Sequence, residues 1–325
     1  MAFVIGTDEA GYGPNLGPLV IGGTAWHIQD DNQDLDLYRR LLATVTKSPG
    51  SRTTTSQFVV ADSKKLYQPG KGLHRLERAF FPSLQATGKQ PRRWQQLWCD
   101  LSSESKTVRH SIPWYRHFDI DVPVDCESAE ISNLHDSFQR TCCHGGVQLA
   151  AISSSVVFPK QFNRLVFKLG KKSTLLSLTT LELIKTLMAQ SGWSDSSESL
   201  YVFCDKHGGR NRYGAMLQQV FPEYLVEVHG ESSAASIYRW GPTNQRVEIS
   251  FQARGESNLA TALASITAKY LRETAMMAFN HFWKAQVPDL KPTAGYPTDA
   301  RRFLEQIEST QQKLGIDNDD LWRQR

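Results

Sequence analysis

The stretch "FVIGTDEAGYGPNLGPLVIGGTAWHI", residues 3 to 28, constrains the fold of this chain more than any other. Its two ends are apolar and rich in β-branched residues, while its middle carries Gly11, Gly13, Pro14, Gly17 and Pro18. Apolar runs of this length, bounded by Gly and Pro, read as strands joined by a turn. The first run ends on two adjacent carboxylates, Asp8 and Glu9. Side by side they repel each other, and a turn rarely needs both. Either they mark a solvated strand end, or something positive belongs there.

The same reading continues along the chain. "QFVVADSKKL", 57 to 66, reads as a strand ending at Asp62 and Ser63, and "VQLAAISSSVVFP" as another. "STLLSLTTLELIKTLMAQSG" repeats apolar residues at helical spacing, with Ser173 or Thr174 as the cap and Gly192 at the end. "SLYVFCDKHGGRNRYG" holds a short buried strand whose exit presents Asp205. "YLVEVHGESSAASIYRW" and "RVEISFQARG" read as further strands, suited to a hairpin. "ESNLATALASITAKYLRETAMMAFNHFW" is a long helix, with Asn258 near its start and small residues that permit close packing. A Pro-punctuated loop at 287–297 leads to a last amphipathic helix, "DARRFLEQIESTQQKLG". Strands first and helices later predict an α/β fold, a mixed sheet covered by helices.

Residues 67 to 146 have poor periodicity and clustered aromatics, as in "RRWQQLWCDL" and "SIPWYRHFDIDVP". They read as an inserted subdomain with short helices. Aromatic side chains mixed with arginine can stack on bases, but such tryptophans more often form the small core of an insertion. The expected division is a catalytic core over 1–66 and 147–280, an insertion over 67–146, and a C-terminal loop and helix over 281–325 that completes a substrate groove.

With 325 residues, 40% hydrophobic and 22% charged, the chain has the composition of an ordinary globular protein. No apolar run reaches membrane-spanning length. Met1 leads straight into an apolar strand without a basic leader, so no signal peptide and a cytoplasmic location are expected. The five cysteines are odd in number and scattered, which suits a reducing compartment better than a disulfide framework. "TCCHGG" at 141–146 lacks a CxxC or a second paired His, so its thiols read as buried or loop residues rather than a metal cluster. The net charge of +4 permits a polyanionic partner without demanding one.

Acidic residues collect at the exits of two strands, Asp8 with Glu9 and Asp205, and Glu273 lies on the long helix. Carboxylates distant in sequence can converge on divalent cations, and oxygen donors suit Mg²⁺ or Mn²⁺. Two such ions about 4 Å apart activate a water and stabilise the leaving oxygen of a phosphodiester.

Four motifs occur in order: "DEAGYGPNLGPLV", "DSKKL" at 62–66, "ALASITAKYLRE", and "GYPT" at 295–298. Together they resemble the type 2 ribonuclease H family (the ribonuclease HII group), as a divergent member with an insertion and some ribonuclease HIII-like character. The resemblance covers the sheet, the long helix and the C-terminal loop, and leaves out residues 67–146. It implies a ribonuclease H-like mixed β-sheet flanked by helices, with a C-terminal helical segment. It also implies a metal-dependent endoribonuclease that hydrolyses the RNA strand of RNA–DNA hybrids, or cuts at single ribonucleotides embedded in duplex DNA, leaving 5′-phosphate ends. In that family a two-ion Mg²⁺ or Mn²⁺ site would be held by Asp8, Glu9, Asp205 and Glu273. Asp8 would be shared, Asp205 would hold one ion and Glu273 the other, and Glu9 would coordinate or position the scissile phosphate. Gly11 and Gly13 would read the ribose 2′-hydroxyl, and Tyr296 would pack on the next sugar. Ser63, Lys64 and Lys65 would contact phosphates, and Lys269 belongs to the same substrate-binding set. The implied partner is nucleic acid; no membrane and no particular protein partner is implied.

The sequence also departs from the family. Tyr12 stands where the family's Gly-Arg-Gly turn has arginine, and a phenol donates one hydrogen bond but brings no cationic charge. Arg210 and Arg212 in "DKHGGRNRYG" either compensate or are simply solvated. Glu273 stands where ribonucleases HII usually carry Asp, as in the HIII branch. His207, two residues beyond Asp205, is a candidate proton shuttle, although an ordinary polar role is commoner for a loop histidine. Two rival functions keep the same fold: a structure-specific DNA nuclease, and a non-catalytic nucleic-acid-binding protein. Retention of four acids argues against the last, because unused buried acids are costly to hold together.

Overall fold

In the computed structural model, which describes residues 1–30, 34–48, 54–102, 105–253 and 255–324, the opening stretch forms strands β1 (Ala2–Ala10) and β2 (Leu19–Ile28). They pair antiparallel, with Asp8 opposite Gly22. Short strands β3 (Val45–Thr46) and β4 (Phe58–Val59) pair with each other outside the main sheet. Of the strand expected from Gln57 to Asp62 and Ser63, only the two residues of β4 pair as a strand; Asp62 caps a helical turn instead, accepting the Lys64 amide at 3.0 Å. The remaining strands are β5 (Val147–Val157), β6 (Ser199–Asp205), β7 (Glu227–Glu231), β8 (Ala235–Trp240) and β9 (Val247–Gln252). The seven-stranded sheet has the order β5-β2-β1-β6-β9-β8-β7. β1, β6 and β9 run parallel at its centre, and the outer pairs are antiparallel. This is the mixed sheet flanked by helices that the sequence predicts.

The helices before β5 are α1 (Leu37–Arg40), α2 (Ser63–Leu66), α3 (His74–Ala86), α4 (Trp94–Leu101), α5 (Lys106–Ser111), α6 (Pro113–Arg116) and α7 (Ser128–His144). Those after it are α8 (Pro159–Leu169), α9 (Lys172–Gln190), α10 (Gly214–Val220), α11 (Leu259–Gln286), α12 (Pro297–Lys313) and α13 (Asn318–Leu321). Asn258 caps α11 as expected, accepting the Ala260 amide at 2.9 Å. Neither Ser173 nor Thr174 caps α9, which begins one residue earlier at Lys172. None of the described helices is long and apolar enough to cross a membrane.

α11 lies tightly on β1 and β2 because both surfaces are stripped of side chains where they meet. A Cβ on Gly6 would come within 2.2 Å of the Ala260 backbone, and one on Gly22 within 2.4 Å of the Ala264 carbonyl. Real Cβ atoms do not approach this closely, so these glycines let the helix seat, and the small residues of 260–268 answer them. β2 is buried on both faces: Val20, Trp26 and Ile28 face the α11 side, whereas Leu19, Ile21 and Ala25 face the core built on α9.

Residues 67–146 contribute mainly helices, and their tryptophans face inward. Trp94, Trp98 and Trp114 are buried, and the Trp114 ring meets Phe279 of α11 at 5.2 Å. They pack in the same apolar cluster as α11 and the inner face of the sheet. Of the two roles open to these rings, packing is therefore the one they perform.

Candidate active site

The last paired residues of β1 and β6 are Thr7 and Cys204, whose side chains are hydrogen-bonded at 3.1 Å. The next residue on each strand is an acid, Asp8 and Asp205. Two carboxylates thus stand beside each other at the carboxyl ends of adjacent parallel strands, the edge at which open α/β sheets bind ligands. Asp205 is oriented by the Gly255 amide, which donates to Oδ1 at 3.2 Å. Asp8 points to α11, where a hydrogen bond with Ser265 and one with the Glu9 backbone favour its anion. Burial first, and then the charges of Glu9 and Asp205, outweigh these bonds and push the Asp8 carboxyl well above the ordinary carboxylate range.

Ser265 also ties in the "DSKK" segment. Its hydroxyl lies 2.9 Å from that of Ser63 and accepts the Ser63 amide at 3.3 Å. Ser63 is buried against α11, whereas Lys64 and Lys65 are exposed at the start of α2.

Glu273 lies on the same face of α11, two turns beyond Ser265. Its carboxylate is already occupied. The Tyr67 hydroxyl donates at 2.7 Å to one oxygen; Lys269 at 2.7 Å and Arg272 at 3.5 Å address the other. The Lys269 ammonium also sits 4.3 Å from the Tyr67 ring centre. No three of Asp8, Glu9, Asp205 and Glu273 bring their oxygens within 4.8 Å of one another; among the described residues the one trio of potential ligands that does so is His74, Cys126 and Glu130. Asp8, Glu9 and Asp205 form one electrostatic group, and Glu273 is held by Tyr67, Lys269 and Arg272.

Beyond the acids, the Gly-rich turn is fastened from beneath. Gly11 has φ of +92°, and a Cβ there would strike the Pro18 carbonyl at 2.5 Å and the Arg272 side chain at 2.6 Å. Buried Arg323 donates to the carbonyls of Gly11 (2.5 Å) and Pro14, while its backbone exchanges hydrogen bonds with Asn15. Arg272 donates to the Ala294 carbonyl at 3.0 Å, and the Gly295 carbonyl accepts the Asn15 amide at 2.7 Å. This brings the "GYPT" loop against the turn. Tyr296, 55% exposed, stands 3.9 Å from where a Cβ on Gly13 would lie.

Tyr12 turns to the opposite face of the sheet. Its ring carries the Lys172 ammonium 4.6 Å from its centre, and its hydroxyl abuts Gly208. Burial and Glu9 raise its pKa, and Arg210 opposes them. Arg210 is held by Ser173 (3.2 Å) and Thr174 (3.0 Å). Arg212 points away, its side chain 89% exposed and paired with Glu231 at 3.6 Å. His207 is buried, bonded to Ser177 at 3.0 Å and packed edgewise on Phe251. Burial, with Arg210 adding to it, pulls its pKa down to about 3.

Sequence reading did not assign Ser265, Tyr67, Lys172, Arg272 or Arg323. Ser265 and Arg272 lie inside a quoted motif; for the other three, only tertiary contact reveals the role.

The donors that meet at Asp8 and Asp205 are carboxylate oxygens, the hard set that suits Mg²⁺ or Mn²⁺. Their mutual repulsion in a mostly buried place is what a divalent cation relieves.

No family model matches the chain, and no curated protein matches it. Solved structures do. It is similar to ribonuclease HII of Archaeoglobus fulgidus, solved with PCNA, at 14% identity over 99% of this chain and 94% of that chain, with a TM-score of 0.40. Similarity to ribonuclease H2 of Pyrococcus horikoshii is 14% identity over 98% and 92%, TM-score 0.39. For Bst-RNase HIII in complex with Mn²⁺ it is 13% identity over 99% and 66%, TM-score 0.42. Its structural neighbours are thus ribonucleases HII and HIII, at low sequence identity.

Proposed function

We propose that this chain is a metal-dependent endoribonuclease that hydrolyses the RNA strand of RNA–DNA hybrids, or cuts at single ribonucleotides within duplex DNA. One observation carries the reading: Asp8 and Asp205 stand together at the carboxyl ends of β1 and β6, with Glu9 adding to a concentration of negative charge. The motif order of the sequence supplies the rest.

In this reading Asp8, Glu9 and Asp205 hold a divalent cation, and Glu273 serves a second one. A bound cation supplies an acidified water and charge neutralisation at a phosphodiester. The chain's own residues do the binding and positioning. Gly11 and Gly13 present backbone without a Cβ, so that a ribose with its 2′-hydroxyl can approach. Exposed Tyr296 beside Gly13 offers a ring for the neighbouring sugar. Lys64 and Lys65 lie on the rim, where they serve as point charges for phosphates. Lys269 and Tyr67 orient the Glu273 carboxylate, which would be the ligand of that second cation. On the other face, Lys172 and Arg210 bring to Tyr12 the positive charge that a phenol lacks. Residues 67–146 act as a helical layer that backs α11, and the 281–325 segment braces the Gly-rich turn.

The test is cleavage of four labelled substrates: a hybrid, a duplex with one ribonucleotide, plain duplex DNA and a four-way junction, each with Mg²⁺, Mn²⁺ or EDTA. Metal-dependent cutting at ribose alone, lost in Asp8→Asn, is the expected result. Cutting of all-DNA junctions assigns a DNA nuclease instead, and binding without cutting assigns a non-catalytic role.

A further inference from the structure

Away from the strand ends, a second group of ligand-type side chains lies where α3 meets α7. His74 opens α3, Cys126 precedes α7, and Glu130 lies in the first turn of α7. One potential ligand atom from each falls within 4.8 Å of the other two. The His74 Nε2 is 3.3 Å from Glu130 Oε2, and the Cys126 thiol reaches the His74 carbonyl at 3.5 Å.

We propose that His74, Cys126 and Glu130 form a binding site for a zinc-type transition-metal ion that clips α3 to α7. Nitrogen, thiolate sulfur and carboxylate oxygen are the donors Zn²⁺ takes, and three protein ligands leave a fourth position for water. The mixed set is too soft for Mg²⁺, which distinguishes this site from the all-oxygen group at Asp8 and Asp205.

The scaffold around the trio is fixed independently of any ion. The fully buried Glu77 carboxylate accepts the backbone amides of Val124, Asp125 and Cys126, the last two at 2.8 Å. Asp125 in turn accepts the amide of Leu73, the residue before His74. The two ligand-bearing segments are therefore tied together by bonds that use none of the three ligand atoms. Arg78 donates to Glu130 Oε1, which leaves Oε2 directed at His74 and suits one-oxygen coordination with an outer partner holding the other oxygen. The His74 side chain is 49% exposed, so the ion enters from solvent. On binding, the Cys126 thiol releases its proton to water and the sulfur binds as thiolate.

Co²⁺ is the probe, added to the chelator-treated full chain. Expected is one sulfur-to-cobalt charge-transfer band per chain, abolished by Zn²⁺. Cys126→Ser removes the band, and His74→Ala weakens Co²⁺ binding at least tenfold. Asp8→Asn keeps both band and affinity, so this site stands or falls apart from the nuclease reading. Circular dichroism checks folding; if Cys126→Ser does not fold, exposed His74→Ala decides alone. Absence of the band in the unmodified chain, its persistence in Cys126→Ser, or unchanged affinity in His74→Ala overturns the proposal.

Discussion

The Tyr67 hydroxyl donates to the Glu273 carboxylate at 2.7 Å across 206 residues of chain. With Lys269 at 2.7 Å on the other oxygen, the Glu273 carboxylate has a partner on each oxygen, in contrast to Asp8, which is buried and crowded by Glu9 and Asp205. The acids thus fall into two groups, one in contact with the protein's own cations and one in which like charges crowd each other. In the proposed mechanism the difference sets an order: the crowded group is the first to recruit a cation.

Tyr67→Phe removes one hydrogen bond to a charged, mostly buried group and leaves the ring under Lys269 in place. The expected cost is about 2 kcal/mol of stability. It is read as a lower urea midpoint at unchanged slope. A midpoint equal to that of the unmodified chain refutes the assignment of Tyr67 as a support of Glu273.

Asp8→Asn removes a charge from the crowded group while keeping its shape. Without divalent cations the variant should melt at a higher temperature than the unmodified chain, because the cost of burying a carboxylate, and of holding it beside Glu9 and Asp205, is relieved. With Mg²⁺ or Mn²⁺ the order should narrow or reverse, since only the unmodified chain gains binding free energy. A variant that melts lower in EDTA shows that Asp8 is a structural acid, not a repelled one.

Much of this arrangement was legible in the chain, and the reasons are local. Gly11, Asn258 and the acids at strand exits announce themselves through turn and cap chemistry. The short helices expected in 67–146 are not placed individually by the sequence: Pro82 falls inside α3, and α5 and α6 are only six and four residues long. α8 is a further helix that the sequence reading does not place, although its apolar face, with Pro159 and Phe162 buried, is well marked. The roles of Lys172 and Arg323 depend on contacts with Tyr12 and Gly11, 160 and 312 residues away in the chain, which no local pattern encodes.

Arg323 is buried at 2% exposure and serves two carbonyls of the Gly-rich turn at once. Arg323→Ala leaves both carbonyls without that donor and should cost about 2 kcal/mol. Both bonds come from Nη2 alone, and Arg323→Lys restores the charge but ends one bond short of that nitrogen, so it should recover little of the loss. Thermal unfolding of the three forms compares them directly; full recovery by lysine shows that charge alone matters.

The cysteines should separate by reactivity. Cys143 is exposed, whereas Cys204 is buried with its thiol pushed up to about 12 by burial and by Asp205, Asp8 and Glu9, against the Thr7 hydrogen bond. Cys142, also buried, is pushed up to about 12. A thiol reagent at neutral pH should modify Cys143 quickly and Cys142 and Cys204 only after denaturation. Rapid native-state labelling of Cys204, located by peptide mapping, contradicts the packing of β6 against β1.

Arg210 and Arg212 are two residues apart in sequence but differ in direction, and that difference is measurable. Arg210 is anchored by Ser173 and Thr174 beside Tyr12, while Arg212 reaches out to Glu231. If Arg210 supplies a phosphate contact that Tyr12 cannot, Arg210→Ala should weaken hybrid binding. It should also reduce the slope of log K against log salt by about 0.9, the release of one condensed counterion. Arg212→Ala should change neither, because its side chain points away from Tyr12 toward Glu231. Equal slopes for both variants place the nucleic acid elsewhere than over Tyr12. A larger effect at Arg212 moves the contact toward the β7–β8 edge, where Glu231 lies.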